Sequence, residues 1–266
     1  MRSSRGCSTR IAAVLTGLAA VGVPGSPAGA QGFGRNSGFI QTPFVQNIPY
    51  DGRFTFARLS YVTNSPEGYY YRGLPAWAHG YDLAERNLMQ ILTSLSTMHP
   101  RLETGVVYNL DDPQLFKYPL TYMTEAGYWS LSDKEALACR TYLLKGGFVI
   151  FDDFRGLGGY EHIAANMKRI LPDARIVDLT PKDPIFHSFY EINSFDIVPM
   201  AYGRGRPLFQ GIYLDNDSSK RLVAMINFNE DVSNFWEFSG QGFYPIDEST
   251  EGYKLGINYL IYAMSH

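Results

Sequence analysis

Hydrophobic positions along the chain switch repeatedly between a strand period and a helix period. Phe54-Thr55-Phe56-Ala57-Arg58-Leu59 reads as a first strand, and Leu88, Ile91, Leu92, Leu95 and Met98 fall on one face of a following helix. Asp82 with Glu85 three residues on predicts a capping box that opens this helix, and Pro100 follows its end. Val106-Val107-Tyr108 and Leu120-Thr121-Tyr122-Met123 are the next two strands. Ser132 with Glu135 predicts a second capping box, for a helix running through Leu137, Leu143 and Leu144 and ended by Gly146. Phe148-Val149-Ile150-Phe151 is then apolar without alternation, as in a strand covered on both faces.

A helix is predicted over residues 160–171, stopped by Pro172, and a short strand over 175–179. Residues 208–214 and 222–228 flank Asp215-Asn216-Asp217-Ser218-Ser219, which predicts a hairpin, and residues 250–264 close the chain as a helix. Alternating strands and helices of this kind predict an α/β domain. Its sheet should be mostly parallel and covered by helices on both faces, with a C-terminal β-hairpin plus helix.

The first thirty residues do not share this pattern. Arg2, Arg5 and Arg10 precede an apolar run over residues 11–23, and Ala28-Gly29-Ala30 is a small-x-small cleavage pattern. This reads as a secretory signal peptide (1–30) cut after Ala30, because the run is shorter than the roughly 20 apolar residues of a membrane span. With no Arg-Arg pair before it, the leader is of the Sec type, and the expected location is periplasmic or secreted. Residues 31–52, rich in Gly, Asn, Gln and Pro, read as a flexible linker, and 53–266 as a single α/β domain.

Composition sharpens this picture in two places. Loss of the leader removes three of 23 Lys and Arg and no acid, so the formal net charge moves from −3 to −6. A mature chain of that sign is unsuited to nucleic acid, which is gripped by clustered cations. Cys7 leaves with the leader, so Cys139 stands alone and no intramolecular disulfide can form. No later segment is apolar enough to predict a membrane span.

Candidate chemistry concentrates in residues 146–159, GGFVIFDDFRGLGG. In open α/β sheets ligands bind outside the carboxyl ends of strands, where Asp152 and Asp153 stand. Side chains alternate along a strand, so one of the two should face the crevice. Arg155 and the glycine-rich loop before a helix either hold an anion on free amides or form a structural turn; Gly-x-Gly-Gly falls short of a dinucleotide fingerprint. Trp77, His79 and Tyr81, just before the first long helix, are candidates for the same edge.

His79 has no second histidine at ligand spacing, so no metal is assigned; His187 in Asp183-Pro184-Ile185-Phe186-His187 is a distant partner. His162, within a helix, reads as a surface or interface residue. Asn227-Phe228-Asn229-Glu230-Asp231 either coordinates a hard cation or caps a turn, with the turn favoured. Tyr69-Tyr70-Tyr71-Arg72 is a contact surface or a packing cluster. Cys139, in mid-helix, is a packing residue rather than a nucleophile. There is no Gly-x-Ser-x-Gly elbow, phosphate-binding P-loop or His-Glu-x-x-His helix.

Residues 54–61, the 77–82 loop, YLLKGGFVIFDD, DPIFHSFY, NFNEDVSNFWEF and LGINYLIYAMSH resemble the family called domain of unknown function 4159, over residues 53–266. The resemblance implies a flavodoxin-like three-layer sandwich related to class I glutamine-amidotransferase-like and trehalose-utilisation proteins. In the amidotransferases a cysteine nucleophile sits on a strand-to-helix elbow; here Asp152-Asp153 occupies the comparable edge and no cysteine does. Family members accompany MoxR-type ATPases and von Willebrand A-type proteins, which implies a role in envelope complexes. Two expectations result. The first is a non-catalytic binding or assembly module of the envelope, taking envelope proteins or a small-molecule ligand. The second is a hydrolase, with or without a metal, that uses Asp152 or Asp153 with His79 or His187. No cofactor is assigned.

Overall fold

The computed structural model describes residues 45–63, 70–71, 74–202 and 205–266. The leader, its cleavage site and linker residues 31–44 lie outside the described residues, as does the contact reading of the tyrosine run. The main elements in chain order are β1 (Ala57–Ser60), α1 (Leu83–Leu95), β2 (Val106–Asn109), β3 (Leu120–Met123), α2 (Asp133–Leu144) and β4 (Phe148–Phe154). They continue with α3 (Gly156–Ile170), β5 (Val177–Asp178), β6 (Leu208–Tyr213), β7 (Leu222–Phe228), α4 (Val232–Glu237) and α5 (Ile246–Ser265).

Seven strands form one sheet in the order β2-β1-β3-β4-β7-β6-β5. The first five of that series are parallel; β6 runs antiparallel to β7, and β5 antiparallel to β6. β6 and β7 form the expected hairpin, with Asp215 and Asn216 both at positive φ in its turn. Helices α1, α4 and α5 pack on one face and α2 and α3 on the other. β4 shows why its sequence lacks alternation: all seven of its residues are buried. Phe148 and Ile150 pack with Leu88, Trp236 and Leu255, whereas Val149 and Phe151 pack with Leu143, Ile163 and Met167. Among the described residues no helix is long and apolar enough to cross a membrane.

The capping box at Ser132 forms as expected. Ser132 Oγ accepts from the Glu135 amide at 3.2 Å, and Glu135 Oε2 accepts from the Ser132 amide at 2.8 Å. The one at Asp82 does not: Asp82 makes no capping bond, and Glu85 turns inward to a buried ion pair with Arg58. On α2 the buried seam is Ala136, Cys139, Tyr142 and Leu143, so Leu137 and Leu144 point to solvent. Cys139 packs there with its thiol pushed by burial up to about 12.

Other boundaries move too. α3 begins at Gly156, so the expected glycine loop is its first turn. β1 starts three residues later than predicted, and the 175–179 strand shrinks to two exposed residues at the sheet edge. Residues 45–52 are docked rather than linker-like: Asn47 exchanges hydrogen bonds with the Val107 backbone, and the Tyr50 ring meets Tyr118 edge-on. His162 is half-buried within α3 and bonded to the Trp129 carbonyl and Asn166.

Candidate functional site

The end of β4 carries one residue too many for its neighbour. Ile226 and Phe228 of β7 face Phe151 and Phe154, so two steps on one strand match three on the other. The extra residue makes a bulge, a device that re-aims side chains at sheet edges. Asp153 takes up the mismatch in the left-handed region, at φ 56°. Asp152 therefore stays within the layer beneath α4. It accepts from the Tyr122 hydroxyl, from Asn227 Nδ2 at 2.8 Å and from the Ser233 amide at 3.2 Å. Burial pushes its carboxyl up to about 7, against the pull of the Tyr122 and Asn227 hydrogen bonds.

Asp153 emerges on the carboxyl edge of the sheet. It accepts from the Tyr202 hydroxyl at 2.5 Å and from Thr124 Oγ1 at 3.2 Å, and its Oδ2 lies 2.6 Å from His79 Nδ1. His79 arrives there because of a residue far from it in sequence. Arg58, fully buried on β1, bonds Glu85 through Nε at 2.5 Å and the carbonyls of Trp77 and His79 through Nη1 at 3.0 and 2.5 Å. A buried guanidinium needs such partners, and the 77–79 turn supplies two of them.

Glu125 completes the cluster from the turn after β3. It sits at φ 51°, and its Oε1 is 3.5 Å from His79 Nδ1. The Tyr61 hydroxyl holds that turn, donating to the Thr124 carbonyl at 2.9 Å and the Glu125 carbonyl at 2.8 Å. Asp231 approaches from the start of α4, where it is the N-cap and accepts from the Asn234 amide at 3.0 Å. The turn-capping reading of that segment thus holds for Asp231. Glu230 beside it is wholly buried, accepting from the Ala201 and Asp231 amides through Oε1, while Oε2 has no partner.

These groups surround a cavity of about 450 Å³ lined by His79, Glu125, Asp153, Arg155, Tyr202, Asp231 and Asn234. Three acidic side chains thus meet two cations, and the Arg155 guanidinium lies over the Tyr202 ring at 4.8 Å. Burial opposes charge on His79, but its bonds to Asp153 and Glu125 outweigh this and raise its pKa to about 11, so it is an imidazolium at neutral pH. Burial pushes Glu125 up to about 7 despite His79. Burial, then the charges of Asp153 and Asp152, hold Asp231 well above the carboxylate range. A smaller hollow of about 250 Å³ between Arg140, Leu171 and Tyr213 contains no such convergence.

Of the residues singled out in the sequence, Asp153, Arg155, His79 and Asp231 line the cavity. Asp152 lies beneath it. Trp77 is a core residue, because the turn held by Arg58 buries its ring. Tyr81 turns away, with its hydroxyl 3.3 Å from Thr104 and its ring 5.6 Å from the Arg58 guanidinium. His187 does not pair with either aspartate; it is bonded to Glu191 and the Pro181 carbonyl in a turn packed on α5. Sequence reasoning missed Arg58, Glu125, Tyr202 and Asn234. Only Arg58 carried a signal, as the single charge within a strand.

Comparison with curated proteins finds no match for this chain. The family model described as Domain of unknown function (DUF4159) matches residues 55–264, most of the chain, and the protein belongs to that family.

Proposed function

We propose that this protein is an exported binding or assembly module of the cell envelope, which holds a small polar ligand at the carboxyl edge of its sheet. One observation carries the reading. Segments following β1, β3, β4 and β7 converge on one charged cavity, yet among the described residues that line it there is no Ser or Thr hydroxyl, Cys thiol or Lys amine to be activated. The order of the five parallel strands, second-first-third-fourth-fifth, supports a flavodoxin-like assignment. In that arrangement ligands enter between the first and third strands, and His79 and Glu125 follow those two.

The lining suits a ligand with an anionic group for Arg155 and hydroxyl or ammonium groups for the carboxylates. A panel of amino acids, hydroxy acids and simple sugars, screened by thermal shift and followed by calorimetry, tests this. Saturable binding lost in Arg155→Ala supports it; no binding across the panel overturns it. Export is tested separately by cell fractionation and N-terminal sequencing, with the mature chain expected to begin near Gln31.

One feature favours a second reading, hydrolysis by an activated water. Glu125, raised to about 7, is matched to act as a general base and lies beside a charged histidine that can stabilise developing negative charge. Chromogenic esters, phosphoesters and glycosides test it. Turnover that falls by about 10²-fold or more in Glu125→Gln would favour hydrolysis over binding alone.

A further inference from the structure

We propose that His79, Glu125 and Asp153 form a site for one divalent transition-metal ion, whose remaining coordination positions open into the cavity. The inference deepens the pocket reading and rests on it, because the ion would be the part of the pocket that grips the ligand.

Geometry comes first. One potential ligand atom from each of the three residues lies within 4.8 Å of the other two. A tetrahedral ion with bonds near 2.0–2.1 Å spaces its ligand atoms about 3.3 Å apart. The separation of His79 Nδ1 from Glu125 Oε1, 3.5 Å, is already of that size. His79 Nδ1 and Asp153 Oδ2, at 2.6 Å, must part by less than an ångström, with the ion taking the place of the proton between them. One imidazole nitrogen with two carboxylate oxygens suits zinc or manganese better than calcium or magnesium, which prefer all-oxygen sets.

The three side chains are also held in advance. Each comes from a different segment, and each is tied by a hydrogen bond from another: Arg58 on the His79 carbonyl, Tyr61 on the Glu125 carbonyl, and Thr124 and Tyr202 on the Asp153 carboxylate. Hydrogen bonds to ligating carboxylates are the usual outer support of a metal site. Three protein ligands beside an open cavity match sites that receive a further ligand, whereas closed structural sites use four.

The acceptor groups supply an independent reason. Glu125, Asp153 and Asp231 line the cavity, with Asp152 and Glu230 buried behind them. Asn234, in the same wall, has a buried Oδ1 that accepts no hydrogen bond. Against this excess of acceptors stand His79 and Arg155, and Arg155 is stacked on Tyr202. A cation at the cluster gives those acceptors a partner.

The test uses the full chain, stripped with a chelator and titrated with Zn²⁺ and Mn²⁺ by calorimetry, with Co²⁺ visible absorption as a probe of the coordination. Binding of one ion per chain is expected, with a rise in melting temperature. His79→Gln and Glu125→Gln should each weaken it at least about tenfold, and Tyr202→Phe by about 10–100-fold. His187→Gln should leave it unchanged. Glu125 is only partly buried, so Glu125→Gln keeps the test valid if Asp153→Asn fails to fold; circular dichroism checks each variant.

Absence of saturable binding by folded protein overturns the proposal, and so does binding indifferent to His79→Gln and Glu125→Gln. The small-molecule panel, run with and without the metal, separates the two readings. Panel binding that ignores the metal overturns the metal site and leaves the pocket standing. Metal binding without any panel response supports the site and overturns the pocket's ligand.

Discussion

Replacing Glu85 with Ala should destabilise the protein far more than an ordinary acid on a helix. The side chains of Arg58 and Glu85 are 1% and 2% exposed, and their contact is 2.5 Å. Removing one partner leaves the guanidinium buried with an uncompensated charge and an unpaired Nε. Breaking buried pairs in this way costs about 3–5 kcal/mol. For a domain of this size each kcal/mol moves the melting temperature by about 2–4 °C, so a fall of roughly 6–20 °C is expected. Differential scanning calorimetry at pH 7 measures it.

The double replacement Arg58→Met with Glu85→Leu separates stability from positioning. Swapping a buried ion pair for apolar groups of similar volume is often neutral, so most of the lost stability should return. The bonds from Arg58 to the Trp77 and His79 carbonyls do not return. Amide hydrogen exchange over residues 77–81 should therefore quicken in the double variant even at restored melting temperature. A Glu85→Ala loss under about 2 °C would refute the energetic argument. Unchanged exchange in the double variant would refute the positioning role.

Asp152→Asn should lower the melting temperature by several degrees, since an amide nitrogen must replace one oxygen among three donors, leaving a buried mismatch of about 1–3 kcal/mol. Thermal unfolding checks it, and an unchanged midpoint would contradict the donor assignment. Burial raises Glu230 from 4.5 to about 8. The folded state therefore keeps a proton that the unfolded state has lost; that stabilisation is complete below about pH 4.5 and vanishes as pH rises through about 8. Glu230→Gln should flatten this decline in the metal-free protein and raise the melting temperature at pH 8; a parallel pH profile would count against it. Gly252→Ala, despite alanine's better helix propensity, should destabilise by about 1–3 kcal/mol, because its Cβ would fall 2.5 Å from Phe235 Cβ. A gain in denaturant midpoint would show that α4 and α5 can separate there.

What the sequence determined by itself is what neighbouring residues decide among themselves. The Ser132–Glu135 cap closes within one turn, the apolar run of β4 needs only to be covered on both faces, and Asp215-Asn216 turns the β6–β7 hairpin locally. The alternation of these elements was enough to indicate a parallel sheet between helices. Asp153, Arg155 and His79 could be picked out because chemistry gathers at the carboxyl ends of such strands.

Tertiary structure decided the rest. Asp82 and Glu85 have the same local pattern as Ser132 and Glu135, but the buried charge of Arg58, 27 residues away, outcompetes a solvent-exposed cap. Asp152 and Asp153 are the same residue type in adjacent positions; alternation parts them, but the tertiary structure decides which one enters the cavity, with Asp153 at the bulge against β7 and Asp152 in a hydrogen-bonded layer. Glu125 and Tyr202 reach Asp153 and His79 from segments with no periodicity to read, held by turns whose partners lie elsewhere in the chain. Local hydrogen bonding and burial period are written in short stretches. Which side chains share a cavity depends on where distant segments cross, and that follows from packing the whole sheet.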